Sequence, residues 1–230
     1  MAIEPYLAMT AAEFDGSILH SSKVAWMACH FSPYGSGLTN LPPNLPKGSL
    51  LILNDRIPPM NCDTGKIVFT LDQILSTQQC SGLLLDFQQP ECAQLQAIAQ
   101  QLITLPSPVA VTLPYAKGLS CPIFLPPVPL RTKLSDYLSP WAGREIWLEA
   151  ALTSEEISVD AQGSKERAAP PSPSPLPFRD EELFCHYQFQ IQENHCSFHI
   201  QRTRQDVEEL LEQAAKYGVT TAVGLWQELK

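Results

Sequence analysis

No segment of this chain approaches the roughly eighteen consecutive apolar residues that a membrane-spanning helix needs, so no membrane insertion is expected. Met1 to Phe14 carries two acids, Glu4 and Glu13, and no base, which is not the charge pattern of a secretory leader. Runs of positive charge are missing as well. The 15 lysines and arginines are scattered through a chain of net charge -9 and pI near 5.0. Nucleic acid and anionic membrane surfaces both need concentrated positive charge and are not expected partners. Cysteine pairs in C-x-x-C spacing are absent, although seven cysteines are present (Cys29, Cys62, Cys80, Cys92, Cys121, Cys185, Cys196). An odd number without that spacing fits buried free thiols in a reducing compartment, so a cytoplasmic location is expected.

What is present is core material: 44% of the 230 residues are hydrophobic, enough for one α/β barrel or two small domains. Apolar runs of strand length alternate with helical patterns and turn clusters, the rhythm of β/α units. Strands are expected at Val24–Cys29, Leu50–Asn54, Leu83–Asp86, Val109–Leu113, Pro122–Leu125, Glu145–Glu149, Phe184–Ile191, Ser197–Gln201 and Thr221–Trp226. Helices are expected at Val68–Gln79, Cys92–Thr104 and Arg204–Tyr217, with a short turn at Leu134–Leu138. In Cys92–Thr104 the residues Leu95, Ile98, Ala99 and Leu102 share one face. Arg204–Tyr217 has cap residues at Thr203 or Asp206 and at Gly218. Among 21 prolines, the pairs Pro42-Pro43, Pro58-Pro59 and Pro126-Pro127 are expected to turn the helix slots after Leu50–Asn54 and Pro122–Leu125 into loops. Gly163 to Pro177 is rich in proline and serine and reads as a mobile surface insertion within a single domain spanning 1–230.

The chemistry-bearing stretch is Ser81-Gly82-Leu83-Leu84-Leu85-Asp86-Phe87-Gln88, a buried strand that ends in polar side chains. It resembles the signature strand of family-18 glycoside hydrolases, the chitinases and spore-cortex hydrolases, whose pattern is D-x-x-D-x-D-x-E. Residue by residue, Ser81 and Leu84 stand at the first two acidic positions, Asp86 at the third and Gln88 at the catalytic Glu. Three further segments resemble the family: Val109 to Tyr115, His199 to Thr203, and Tyr217 to Trp226. The likeness runs from about Leu50 to Leu229 and implies a TIM-barrel-like (β/α) fold, expected to be incomplete or distorted where proline replaces helix. In such barrels the site forms at the C-terminal ends of the strands. That rule selects His30, Tyr34, Asn54-Asp55-Arg56, Asp86, Gln88, Tyr115, Glu149, Tyr187 and Trp226. The resemblance implies that Trp226 floors a sugar site and that Asp86 orients the substrate's acetamide.

A carboxamide has no proton to donate at a useful pKa, so Gln88 cannot replace the family's acid. Two functional classes follow. One is a non-catalytic barrel that binds a carbohydrate, an N-acetylated glycan, or serves as a scaffold for a protein partner. The other is a glycosidase using a rewired acid pair, Asp86 and Glu149. No cofactor or metal is expected. Asn54-Asp55-Arg56 also resembles a strand-end triplet of thiamine-phosphate synthase-like barrels, but no second glycine-rich phosphate loop follows. His195, Cys196 and His199 are metal-ligand types, yet a strand sends His195 and Cys196 to opposite faces. The same alternation separates Cys29 from His30 as a nucleophile–base pair. Glu91, after Pro90, reads as a first-turn residue of the following helix.

Overall fold

The computed structural model describes residues 3–14, 23–35, 37–60, 62–90, 92–160, 163–172 and 176–230. Its first four strands are β1 (Tyr6–Met9), β2 (Val24–Phe31), β3 (Leu38–Thr39) and β4 (Leu50–Asn54). Then follow α1 (Thr64–Thr77), β5 (Gly82–Asp86), α2 (Ala93–Leu102), β6 (Val109–Thr112), β7 (Ile123–Leu125), α3 (Leu134–Leu138) and β8 (Ile146–Glu149). The chain next forms β9 (Ser154–Asp160), β10 (Gly163–Ala168), β11 (Phe178–Asp180), β12 (Cys185–Gln192) and β13 (His195–Gln201). It ends with α4 (Arg204–Ala214), β14 (Val219–Leu225) and α5 (Trp226–Leu229).

Among the described residues, the strands β1-β14-β8-β7-β6-β5-β4-β2 run parallel around a barrel, with β3 added antiparallel to the outside of β2. The barrel closes through β1, where Leu7 pairs with Val24 of β2 and with Gly224 of β14. The expected gap in the barrel is therefore filled by four residues, YLAM, that the strand pattern did not pick out. Strands buried on both faces read as continuous apolar runs rather than alternating ones. Here the inward set is Ala25, Leu50, Ile52, Leu84, Ala110, Phe124, Trp147 and Val223. The outward set, Leu51, Leu53, Leu83, Leu85, Val109 and Val111, packs under α1 and α2 through Ile67, Leu71, Leu95, Ile98 and Leu102. Ile123, Ile146, Leu148 and Val219 meet α3 and α4 through Leu134, Leu138, Val207, Leu210 and Ala214. Each such side chain removed from water contributes roughly 1.5–3 kcal/mol.

The helical ring is sparse where proline is dense, but the slot after β4 holds α1, in agreement with the helix expected at Val68–Gln79 and against the loop expected from Pro58-Pro59. Pro58 and Pro59 only delay α1, which starts at Thr64 because Asp63 caps it, its carboxylate accepting from the Lys66 N–H at 3.1 Å. The slot after β7 holds the five-residue α3 and the 3-10 turn Ser139–Trp141 that continues it.

Between β8 and α4 lies an antiparallel second sheet in the order β10-β9-β13-β12-β11. Gly163–Ala168, expected to be part of a mobile insertion, is instead a strand laddered to β9 from Gly163↔Asp160 to Ala168↔Glu155. One face carries Phe178, Tyr187, Phe189 and Phe198 as a row of ring contacts 5.4–6.2 Å apart. The sheet is tied to the barrel by Arg202, buried, which donates to the carbonyls of Phe184 at 3.0 Å, Val128 at 2.6 Å and Leu183 at 3.0 Å.

Gly224 marks where backbone must pass side chains closely. A Cβ there would overlap the Leu229 side chain and the Ala150 carbonyl oxygen, and the carbonyl belongs to a fixed barrel strand end. Gly224→Ala is expected to destabilise the protein by about 1–3 kcal/mol, read as a lower denaturation midpoint at unchanged slope.

Candidate functional site

The C-terminal ends of the barrel strands open into a cleft of about 720 Å³. Its apolar base is Met27, Ile52, Leu84, Phe124 and Val223, and its polar wall is His30, Asn40, Asn54, Asp55, Arg56, Asp86, Gln88 and Glu149. Seven residues expected at the site, His30, Asn54, Asp55, Arg56, Asp86, Gln88 and Glu149, are thus brought together. Four others, Tyr34, Tyr115, Tyr187 and Trp226, are elsewhere.

Tyr115 is buried behind the cleft, in a single 3-10 turn after β6. Its hydroxyl donates to the Gln89 carbonyl and accepts from the Cys92 N–H at 3.2 Å, and its ring meets Phe87 edge-on at 5.6 Å. Tyr187 lies in the second sheet, stacked on Phe178 at 5.4 Å. Trp226 opens α5 and packs with Met9 and Val24 under the Lys230 ammonium, which stands 5.4 Å from its ring centroid. The aromatic group in the cleft is Phe124 instead. The alternation in Ile123-Phe124-Leu125, with Ile123 and Leu125 facing the helices, is the signal that would have pointed to it. Tyr34 is 97% exposed and lines nothing in the cleft. Glu91 falls outside the described residues. His195, Cys196 and His199 sit in β13 of the second sheet, and Cys29 is buried in the barrel core with its thiol pushed by desolvation up to about 12. Among the described residues no group of three or more His, Cys, Asp or Glu is placed to hold a metal ion.

Several polar wall residues are committed to definite partners. Asn54 spends its amide on backbone, donating to the carbonyls of Met27 at 3.0 Å and Cys29 at 3.1 Å, where the register of β2 against β4 slips. His30 sits between a carbonyl and an amide: Nδ1 is 3.0 Å from the Phe31 oxygen and Nε2 is 3.0 Å from Asn40 Nδ2. A carbonyl only accepts, so Nδ1 carries the proton and Nε2 accepts from Asn40. The Gln88 carboxamide donates to Asp86 Oδ1 at 2.5 Å.

The two carboxyls differ in support. Burial pushes Asp86 above the usual carboxylate range against the pull of the Gln88 hydrogen bond, and the Asp55 charge pushes it further up. Burial also raises Glu149, and the charges of Asp86 and Glu228 add to the rise. Glu149 has no hydrogen-bond partner among the described residues, so nothing offsets that rise.

No family model matches this chain, and no curated protein matches it in sequence. Solved structures do match in shape. The spore cortex-lytic enzyme SleL of Bacillus cereus superposes with a TM-score of 0.57 at 8% identity, over 99% of this chain and 71% of that one. SleL of Bacillus megaterium QM B1551 gives 0.53 at 9%, over 96% and 69%. A chitinase of Chromobacterium violaceum ATCC 12472 gives 0.52 at 11%, over 98% of both chains. This chain has their barrel fold. At such identities the likeness is one of fold, and the chemistry has to be argued from the cleft itself.

Proposed function

We propose that this protein is a glycan-binding barrel that recognises an N-acetylated hexosamine chain without cleaving it. One observation carries the reading: at the end of β5 the group hydrogen-bonded to Asp86 is the carboxamide of Gln88, which can hold a ligand but cannot protonate a leaving oxygen. The support around it is a concave site with an apolar base and a few convergent polar groups, the usual character of a small-ligand pocket. The cortex-lytic and chitinase descriptions of the structural neighbours point to glycans of this class. All seven cysteines are free thiols, in keeping with a cytoplasmic protein. No helix among the described residues is long and apolar enough to cross a membrane.

A second reading rests on Glu149. An unpartnered carboxyl raised by burial beside a second carboxyl is how a glycosidase keeps one acid protonated and the other ionised. Mass spectrometry of the protein with N-acetylglucosamine oligomers and with muropeptides separates the two readings. Intact complexes without products are expected. Cleavage abolished by Asp86→Asn or Glu149→Gln would replace the binding reading with a hydrolase, and neither complex nor product would leave a protein scaffold. The raised Glu149 also fixes a stability sign. Its ionised form is disfavoured in the folded state, a penalty present at neutral pH and relieved as pH falls through the raised value. Glu149→Gln is therefore expected to hold or increase stability at pH 7.

A further inference from the structure

The Asn54-Asp55-Arg56 triplet has so far only a backbone role for its first member. Asp55 is 4% exposed and its charge has no cation paired with it among the described residues. Peptide N–H groups meet it instead. The Gln88 N–H lies 3.0 Å from both carboxylate oxygens, and the Gln89 N–H lies 2.7 Å from Oδ2. The Gln89 side chain closes the clasp by donating to the Asp55 carbonyl at 2.7 Å. The same loop is held from its other side by the Thr112 hydroxyl on the Phe87 carbonyl at 2.6 Å and by the Tyr115 hydroxyl on the Gln89 carbonyl.

We infer that Asp55 is the positioning residue of the cleft: it clamps the backbone of Gln88 so that the carboxamide stands against Asp86 with its Oε1 and second N–H presented to a ligand. An ionised acceptor makes shorter and stronger hydrogen bonds to backbone N–H than a neutral one. A carboxylate is therefore what a rigid loop needs here, where an asparagine would offer one acceptor and a donor turned toward donors. With the backbone held on both sides and Nε2 committed to Asp86, Gln88 keeps little freedom to lose when a ligand arrives, which is the advantage of a preorganised site. The role deepens the glycan-binding reading and rests on it for its functional consequence, though the clamp itself can be read without a ligand.

Two measurements test it. In the ligand-free wild-type protein, the Gln88 and Gln89 backbone N–H groups are expected to resist hydrogen exchange as the barrel ladder does. In Asp55→Asn the Gln88 side-chain amide signal should move to the position of a free glutamine. Fast exchange of both N–H groups in the wild type, or an unmoved Gln88 signal in the folded variant, overturns the inference. The second measurement is a cycle on binding of the N-acetylglucosamine tetramer. Asp55→Asn should weaken binding on the order of tenfold in the wild-type background and add nothing to Gln88→Ala. An equal loss in both backgrounds would make Asp55 a general structural residue and sink the proposal. If the wild type fails to bind the tetramer, the glycan reading falls, while the exchange and amide signals still decide the role of Asp55.

Discussion

If the cleft binds N-acetylglucosamine oligomers without cleaving them, as proposed, Gln88→Glu is expected to make the protein cleave them slowly. The substitution is nearly isosteric, and the loop that carries it is held through backbone atoms that the change does not touch. It places a carboxyl where the amide now lies 2.5 Å from Asp86 Oδ1. Two carboxyls in contact cannot both ionise, so the pair would retain one proton at neutral pH and titrate as a unit. Burial and the Asp55 charge already push Asp86 upward, which favours that retention. In the substrate-assisted scheme of the family that this strand resembles, the proton goes to the glycosidic oxygen while Asp86 orients the acetamide. A positioned general acid contributes about 10²–10⁴-fold in rate. Products in the mass spectrum of the variant, with a bell-shaped pH dependence, would support the assignment of Gln88 to the acid position. A folded variant that binds the oligomer and releases no product would show that Ser81 and Leu84, which by that resemblance stand at the other acidic positions of the pattern, cannot support the reaction.

The site was legible in the sequence where strand ends carry its chemistry and illegible where loops do. Asp86, Gln88 and Glu149 follow from runs of apolar residues that stop at a polar one, since the barrel sends every second strand residue inward. Trp226 was misplaced because the chain leaves β14 at Leu225 and turns at once into α5, which carries the indole away from the cleft. Tyr115 was misplaced for a related reason: a 3-10 turn with Pro114 as its second residue follows β6 directly, from Leu113, and swings the ring behind the Gln88 loop. Asp55 was selected only as a member of the strand-end triplet Asn54-Asp55-Arg56, and its clamp on the loop was illegible, because a carboxylate that accepts from peptide N–H groups leaves no periodicity and no partner side chain to find.

The fold divides along the same line. The inner strands are apolar on both faces and announce themselves. By contrast, β9 (SEEISVD) and β10 (GSKERA) are polar sequences held as strands by their ladder, and β10 is exposed along its whole length. The charges of β10 suit an edge that must not pair with another chain, while β9 is paired on both sides, to β10 and β13. Composition reports the solvent they face and hides the partner strand they hold.

Asp206→Ala is expected to produce the largest loss of stability. Asp206 is 0% exposed and serves two structures at once. As the third residue of α4 it completes a capping box, accepting from the Thr203 N–H at 2.9 Å and hydroxyl at 2.6 Å while its own N–H reaches the Thr203 oxygen at 3.3 Å. Its carboxylate also receives His186 Nδ1 of β12 at 2.9 Å and Arg179 Nε of β11 at 3.3 Å. Truncation removes the cap and leaves the Arg179 and His186 donors without their acceptor, a cost of about 2–4 kcal/mol. For a chain of this size that is a fall of roughly 5–15 °C in Tm. The sign with pH follows from the same contacts. Burial pushes the Asp206 carboxyl up, but the Thr203 hydroxyl and N–H, with His186, outweigh it and hold the carboxyl below its usual range. A depressed carboxylate contributes stability that is complete above the unfolded value, about 3.9, and is lost as pH falls through the folded one. Denaturant midpoints of wild type and variant should therefore be far apart at pH 7 and converge in acid. A gap of constant size down to pH 2 would mean that Asp206 acts by packing alone. Since Arg179 and His186 belong to the second sheet and Thr203 to the start of α4, the same protonation should loosen that sheet from the barrel before the barrel's own apolar core gives way.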